Sequence, residues 1–391
     1  MTSPAYRVWT VVERAIAPAS TPPVLGWHLD SPAAGSRHPG HGLELNGWLV
    51  GDQDQFLGVR TVTGGEVGPI HELNVPRPDV FADYPAPHAA CSGFSFWQPL
   101  PAGNGWRIEL YAVTRDQQHV PLQALEGSII SDDVFPAQGQ RAVQAPDFVI
   151  VGTQRGGTTS LHAYLNQHPQ ISTPAKKELH YLTDRYDRGH DWYLGQFPAT
   201  VAQGTLVGEA TPYALFHPLA PGRLRLISPT TRVIALLRNP VDRAYSHYLL
   251  ERSRGHECLT FMEALDAEPD RLANLEHKLG SGELRVSDVH KRASYMARGE
   301  YARQWLRYVP APGHPEPLYL RSEDLYRDPQ GTVRTVTDFL DLPPLTGVDY
   351  RVHNATSGPP LPPDARERLR AHFAPLNATL AGRLGWDPDW N

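Results

Sequence analysis

In the stretch Gly152-Thr153-Gln154-Arg155-Gly156-Gly157-Thr158-Thr159-Ser160, three glycines, one guanidinium and four hydroxyls lie within nine residues. Glycines let a backbone close around an oxygen-rich group, and such polar side chains hold anions. A second group, Lys176-Lys177-Glu178-Leu179-His180, carries two ammonium groups, a carboxylate and an imidazole. Glu178 suits a general base for an acceptor hydroxyl, with His180 as the alternative. Lys177 suits charge neutralisation on a leaving group. Glu209, at the end of TLVGE, is a further candidate carboxylate or an orienting neighbour. Arg238 and Ser246 stand two helical turns apart in LLRNPVDRAYSHY, where a bidentate guanidinium and a hydroxyl suit a second phosphate.

The elements that must position these groups are legible nearby. Phe148 to Val151 is an apolar, β-branched run after Ala145-Pro146, and Ser160 to His168 reads as a helix with Leu161 and Leu165 on one face, closed by Pro169. Strand, glycine turn and helix in that order form an anion-binding loop, because the new helix offers its first N–H groups and the positive end of its dipole. The spacing of Gly152 and Gly157 matches a nucleotide-binding phosphate loop, but Thr158 stands where that pattern requires lysine, followed by Thr159. The second strand, VIALL, ends in Arg238 rather than in an acidic metal ligand, which weakens a magnesium-nucleotide reading. The bland alternatives are a glycine turn without a ligand, a solvated charge run at 176–180, and Arg238 or Arg243 paired with Asp242 on the surface.

VIALL has the continuous apolar character of a buried parallel strand, and Asn239-Pro240 opens a helix. Further helices are expected over 258–288, over the amphipathic RASYMARGEYARQWLRYVP, where Arg292 and Tyr295 are candidates to face a pocket, and over DPQGTVRTVTDFLDL with Val333, Val336, Phe339 and Leu340 inward. LYLRSEDL gives another short strand. The tail reads as a helix pair. The fold class is therefore α/β: a P-loop-type parallel sheet flanked by helices, preceded by a small antiparallel, sandwich-like β domain. The expected division is 1–145 and 146–391. The first part alternates short period-two pieces (LELNGWLV, FLGVRTV, GFSFWQPL, WRIELYAVT) with Gly and Pro turns. Trp48, Phe94, Phe96, Trp97 and Trp106 there are either sandwich core or a stacking platform for sugars.

Composition narrows the classes. A net charge of −6 gives no reason to expect a general nucleic-acid binder. The two cysteines, Cys91 and Cys258, form neither a metal cluster nor a disulfide framework, and His28, His38, His41 and His71 lack ligand spacing, so no metal is expected. No segment approaches the roughly 18 apolar residues needed to span a bilayer, and the first twenty residues lack a signal-peptide run, so a cytoplasmic protein is the default expectation.

Taken together, the motifs resemble the sulfotransferases that use 3′-phosphoadenosine-5′-phosphosulfate (PAPS), over about 147–390 and nearest the carbohydrate (heparan-type) and bacterial branch. The resemblance implies that TQRGGTTS holds the 5′-phosphosulfate, with Gly152, Arg155, Gly156, Gly157, Thr158, Thr159 and Ser160 around it. Arg238 and Ser246 match the 3′-phosphate motif. KKELHYL matches the segment whose glutamate is the catalytic base, here Glu178, with Lys177 beside it. YMARGEYARQWLRYV and LYLRSEDLYRDP match later family segments, whereas the Arg-Lys-Gly motif of the phenol and steroid enzymes is missing. HNATSGPP is then the candidate adenosine-side loop.

The implied reaction is in-line sulfuryl transfer from PAPS to a hydroxyl of a sugar, glycolipid or other small molecule, without a metal and with 3′,5′-adenosine bisphosphate as product. Arg155 and Lys177 would stabilise charge on the bridging oxygen while Glu178, or His180, takes the proton. The β domain would hold the acceptor, brace the transferase domain or form a homo-oligomer contact. A P-loop kinase or hydrolase, which requires magnesium and ATP, and a non-catalytic polysaccharide-binding protein are the competing readings.

Overall fold

The computed structural model describes residues 5–16, 24–52, 54–101, 103–309, 315–351, 353 and 358–390. The chain forms two compact units, Met1–Pro136 with Arg188–Thr200, and Ala137–Asp187 with Val201–Asn391. The first unit thus includes a short excursion from the later sequence as well as the N-terminal stretch.

Among the described residues, nine strands build the first unit: β1 (Ala5–Ile16), β2 (Val24–Ser31), β3 (Arg37–Pro39), β4 (Gly42–Gly51), β5 (Phe56–Thr63), β6 (Glu66–Glu72), β7 (Gly93–Pro99), β8 (Gly105–Thr114) and β9 (His119–Val134). They form a six-stranded sheet, β3-β1-β9-β8-β5-β6, and a three-stranded sheet, β2-β4-β7. Their pairings are antiparallel. Period-two patterning places Leu43, Leu45, Phe94 and Phe96 of the smaller sheet in one core with Trp106, Ile108, Leu110 and Leu122 of the larger. Phe94, Phe96 and Trp106 are therefore core residues. Trp48 packs at 5.9 Å against Tyr84. Trp97 lies under the Arg188 guanidinium, 4.7 Å from its ring centroid, and Arg188 also covers Trp192 at 4.9 Å while pairing with Glu44 at 3.1 Å.

The second unit is organised around a five-stranded parallel sheet. Its central strand, Phe148–Gly152, pairs with Leu206–Ala210 on one side and Arg232–Leu237 on the other. Ile171–Ser172 and Leu318–Arg321 extend the two edges. Phe148, Val149, Ile150 and Val151 are each no more than 1% exposed, as a strand covered on both faces requires. Helices Thr158–Leu165 and Pro329–Phe339 pack on it through Leu161, Leu165, Val333 and Val336. A second apolar cluster joins helix Pro240–Ser253 to Phe261–Leu272 and Pro363–Leu384 through Val241, Ala244, Leu265, Leu369 and Phe373. The tail is one helix of 22 residues with Pro375 inside it, not the expected pair.

Tyr295 belongs to that second cluster, 1% exposed, with its hydroxyl donating to Glu257 at 3.0 Å. Arg292 pairs with Asp288 at 3.4 Å. Tyr295 is thus a core residue, and the pocket-facing expectation for this pair is not met: three neighbouring aromatic rings, Tyr248, Phe261 and His247, draw Tyr295 inward.

Leu236 is fully buried in the strand beside the loop strand. Leu236→Ala is expected to cost about 2–5 kcal/mol, read as a lower denaturant midpoint for the second unit.

Candidate active site

The loop lies at the carboxyl end of the central strand, the rim where open parallel sheets bind their ligands. Gly157, at φ 90°, turns the chain into helix Thr158–Leu165. The helix therefore begins two residues before the expected start at Ser160, and Thr158 and Thr159 form part of its first turn. No side chain caps this helix start. Arg155 also has positive φ, 71°.

The loop carbonyls are drawn away from the turn. Gly156 N–H donates to Thr153 O at 2.9 Å, and Leu161 N–H to Gly157 O at 3.0 Å. Arg238 Nη1 donates to Arg155 O at 2.9 Å, and Ser322 Oγ to Gly156 O at 2.8 Å. Thr153 N–H is itself held by Leu236 O at 2.7 Å. With acceptors occupied from behind, the open side of the turn is donor-rich, which is the condition for an anion nest.

Arg155 Nε donates to Ser246 Oγ at 3.0 Å, so three of the residues assigned to phosphate groups, Arg155, Arg238 and Ser246, meet at one place. Asn239 caps helix Pro240–Ser253 by accepting from Val241 N–H at 3.0 Å, which orients the helix that carries Ser246. Glu323 accepts from Asn239 N–H at 2.8 Å, and Tyr301 donates to Arg238 O at 2.9 Å. Burial and the neighbouring Arg238 and Arg254 lower the proton affinity of the Arg155 guanidinium. Arg243, fully buried on the same helix, leaves Nε and Nη1 without hydrogen-bond partners among the described residues. Asp242 pairs with Arg366 at 3.4 Å, not with Arg238 or Arg243. Ser160 Oγ is held by His353 N–H at 3.0 Å. Half of the proposed adenosine-side segment, residues 354–357 of 353–360, lies outside the described residues.

Glu178 is anchored by its own N–H to Ala210 O at 3.1 Å, at the end of the strand next to the loop strand. Lys177 Nζ lies 2.7 Å from Glu178 Oε1, and His180 Nε2 lies 3.6 Å from Oε2. The Glu178 side chain is 42% exposed. Burial raises its proton affinity, but the His180 contact and the Lys177 ammonium outweigh burial and hold its pKa at about 2. Glu209 is 2% exposed and accepts from Thr211 at 2.8 Å, so it holds the rim together from within. His162, on the loop helix, escaped sequence reasoning. Burial and Lys177 push its pKa down to about 4, whereas Glu178 pulls it up, so the loop helix and the Lys177–Glu178 pair sit in the same field. Among the described residues no group of three or more His, Cys, Asp or Glu side chains is placed to hold a metal.

A family model described as the sulfotransferase domain matches residues 145–358, more than half of the chain. The chain belongs to the sulfotransferase family. It is 33% identical over 281 residues to human "Heparan sulfate glucosamine 3-O-sulfotransferase 6", covering 65% of this chain and 76% of that protein. It is 24% identical over 327 residues to the Dictyostelium discoideum "Membrane-associated sulfotransferase kil1", covering 66% of this chain and 68% of that protein. A crystal structure of a sulfotransferase from Alicyclobacillus acidocaldarius superimposes with a TM-score of 0.53 and 31% identity, over 63% of this chain and 99% of that one.

As a family member, the chain is an enzyme that uses PAPS as donor. Its residues fit that group on two observations. Burial together with the neighbouring Arg238 and Arg254 disfavours the charged form of Arg155, and a bound anion would offset that. The turn is also too tight for a side chain: a Cβ on Gly156 would lie 3.0 Å from Leu236 O, and one on Gly157 3.0 Å from Tyr326 Oη. Gly157→Ala, strained at φ 90° as well, should weaken binding of 3′,5′-adenosine bisphosphate by at least about tenfold in calorimetric titration.

Proposed function

We propose that this sulfotransferase moves the sulfuryl group to a hydroxyl of a carbohydrate or glycoconjugate, with Glu178 as general base. The observation that carries the reading is the position of the Lys177–Glu178 pair: bonded to the end of the strand adjoining the loop strand, with one carboxylate oxygen on an ammonium and the other toward an imidazole. The relatives named for heparan sulfate glucosamine support a sugar hydroxyl as acceptor. The donor supplies an S–O bond that breaks as the acceptor oxygen bonds to sulfur, leaving 3′,5′-adenosine bisphosphate.

The chain's own residues divide the work. The loop N–H groups with Arg155, Thr158, Thr159 and Ser160 hold the 5′ side, and Arg238 with Ser246 holds the 3′-phosphate. Lys177 and Arg155 stabilise negative charge on the oxygen that leaves sulfur, and Glu178 takes the proton of the attacking hydroxyl. A carboxylate at about 2 is a weak base while Lys177 grips it. In this reading Lys177 turns toward the leaving oxygen, which raises the proton affinity of Glu178 when it is needed. His180 keeps the other oxygen oriented. The reaction is placed in the cytoplasm as part of this reading. No helix among the described residues is long and apolar enough to cross a membrane.

The test is turnover of PAPS with N-sulfated glucosamine oligosaccharides, a neutral disaccharide and a phenol as acceptors. The oligosaccharides are expected to lead, and a preference for the phenol rejects the carbohydrate reading. Glu178→Gln should lower kcat by about 10²–10⁴-fold while affinity for 3′,5′-adenosine bisphosphate stays unchanged. Near-normal turnover by that variant rejects Glu178 as base and moves attention to His180.

A further inference from the structure

We propose that Lys291 is a positioning residue for sulfuryl transfer, joining the donor loop to the Glu178–His180 pair by its carbonyl on one side and its ammonium on the other. The proposal rests on Glu178 as base. None of the chemistry assigned above uses Lys291, yet a continuous polar path passes through it.

On the loop side, Gln154 Oε1 accepts from Arg298 Nη1, directly beside Arg155. Arg298 is 1% exposed and its guanidinium lies 5.1 Å from the ring centroids of both Tyr213 and Phe216. Its Nη2 donates to Lys291 O at 2.7 Å. A charge buried this deeply between rings is expensive to place and has little freedom to move, so it transmits the loop's position rather than absorbing it.

On the acceptor side, Lys291 Nζ contacts Asp184 Oδ2 at 2.5 Å. The same Asp184 oxygen lies 3.9 Å from His180 Nδ1, and His180 Nε2 lies 3.6 Å from Glu178. Thr183 Oγ1 shares the Nδ1 edge at 3.2 Å. The His180 ring is thus flanked by a carboxylate at each edge, and Lys291 fixes the outer one. The other groups facing this path are Lys177 on Glu178, His162 from the loop helix, and Arg223, which donates to Leu182 O and Thr183 O at 2.9 and 2.7 Å. Tyr213 lies beneath the Lys291 ammonium, with 5.7 Å from Nζ to the ring centroid.

Two consequences follow physically. Loss of the ammonium leaves Asp184 unbalanced, and it then competes with Glu178 for His180. The base loses its orientation while the loop, still tied through Arg298 to the Lys291 carbonyl, keeps its shape. The effect should therefore fall on kcat and spare donor binding.

The experiment measures PAPS turnover with an N-sulfated glucosamine oligosaccharide, alongside calorimetric binding of 3′,5′-adenosine bisphosphate. The Lys291 side chain is 27% exposed, so replacing it leaves the core intact. Lys291→Met is expected to lower kcat about 10–100-fold, as misplacement of a reacting group does, with nucleotide affinity within about twofold. Lys291→Arg should restore most of the rate, and Asp184→Asn should reproduce the loss from the other side of the pair. In a Glu178→Gln background, Lys291→Met should cost less than about threefold more, because both act through one group. The proposal is overturned if Lys291→Met turns over normally, if its loss is the same in both backgrounds, or if nucleotide affinity falls in step with kcat. If instead Glu178→Gln alone is harmless, the base assignment fails, and that result is separate from any behaviour of Lys291.

Discussion

The site depends on where the loop carbonyls go. A glycine turn alone exposes acceptors as readily as donors, and acceptors repel a phosphosulfate. Here Arg238 takes Arg155 O, Ser322 takes Gly156 O, and the turn and the helix take Thr153 O and Gly157 O. Two of these donors come from the ends of strands Arg232–Leu237 and Leu318–Arg321. The parallel sheet is therefore part of the binding chemistry: its register brings those strand ends together around the turn. A buried, β-branched central strand makes that register rigid, since a slip would break the packing on both faces.

Charge is arranged on the same scaffold with a purpose visible in its imbalance. Burial and nearby guanidinium groups destabilise the charged form of Arg155, a cost that a doubly phosphorylated nucleotide would relieve in the proposed reading. Around Glu178 the balance is reversed, because Lys177 and His180 overcompensate burial. At one place the charged guanidinium is disfavoured, and at the other the carboxylate is held in check. In the proposed reading, a polyanion bound beside Lys177 would address both conditions together and link donor binding to the release of the base.

Much of this was legible in the sequence because local chemistry determines it. The strand Phe148–Gly152 is a continuous apolar run, the turn needs its glycines, and Asn239-Pro240 begins a helix as capping rules require. The helix start was misread by two residues because Gly157, not the first apolar side chain, sets it. The tail, expected as a helix pair, is one helix, because the buried positions Leu369, Phe373 and Leu380 on either side of Pro375 keep it packed. Tyr295, Arg298, Lys291 and Ser322 could not be placed from sequence. Their roles arise from contacts between segments distant in sequence: dozens of residues for Tyr295 with Glu257, and more than a hundred for Gln154 with Arg298 and Asp184 with Lys291. The excursion Arg188–Thr200 was hidden for the same reason, since Arg188 finds its partners at Glu44 and Trp97.

The most direct test of the central claim is calorimetric titration of the metal-free protein with 3′,5′-adenosine bisphosphate and with adenosine 5′-monophosphate. If the turn holds one phosphate and Arg238 with Ser246 the other, the bisphosphate binds at least about tenfold tighter, as expected for a charged hydrogen-bonded group, and magnesium changes nothing. Equal affinity for the two nucleotides, or binding that appears only with magnesium and ATP, would contradict the account.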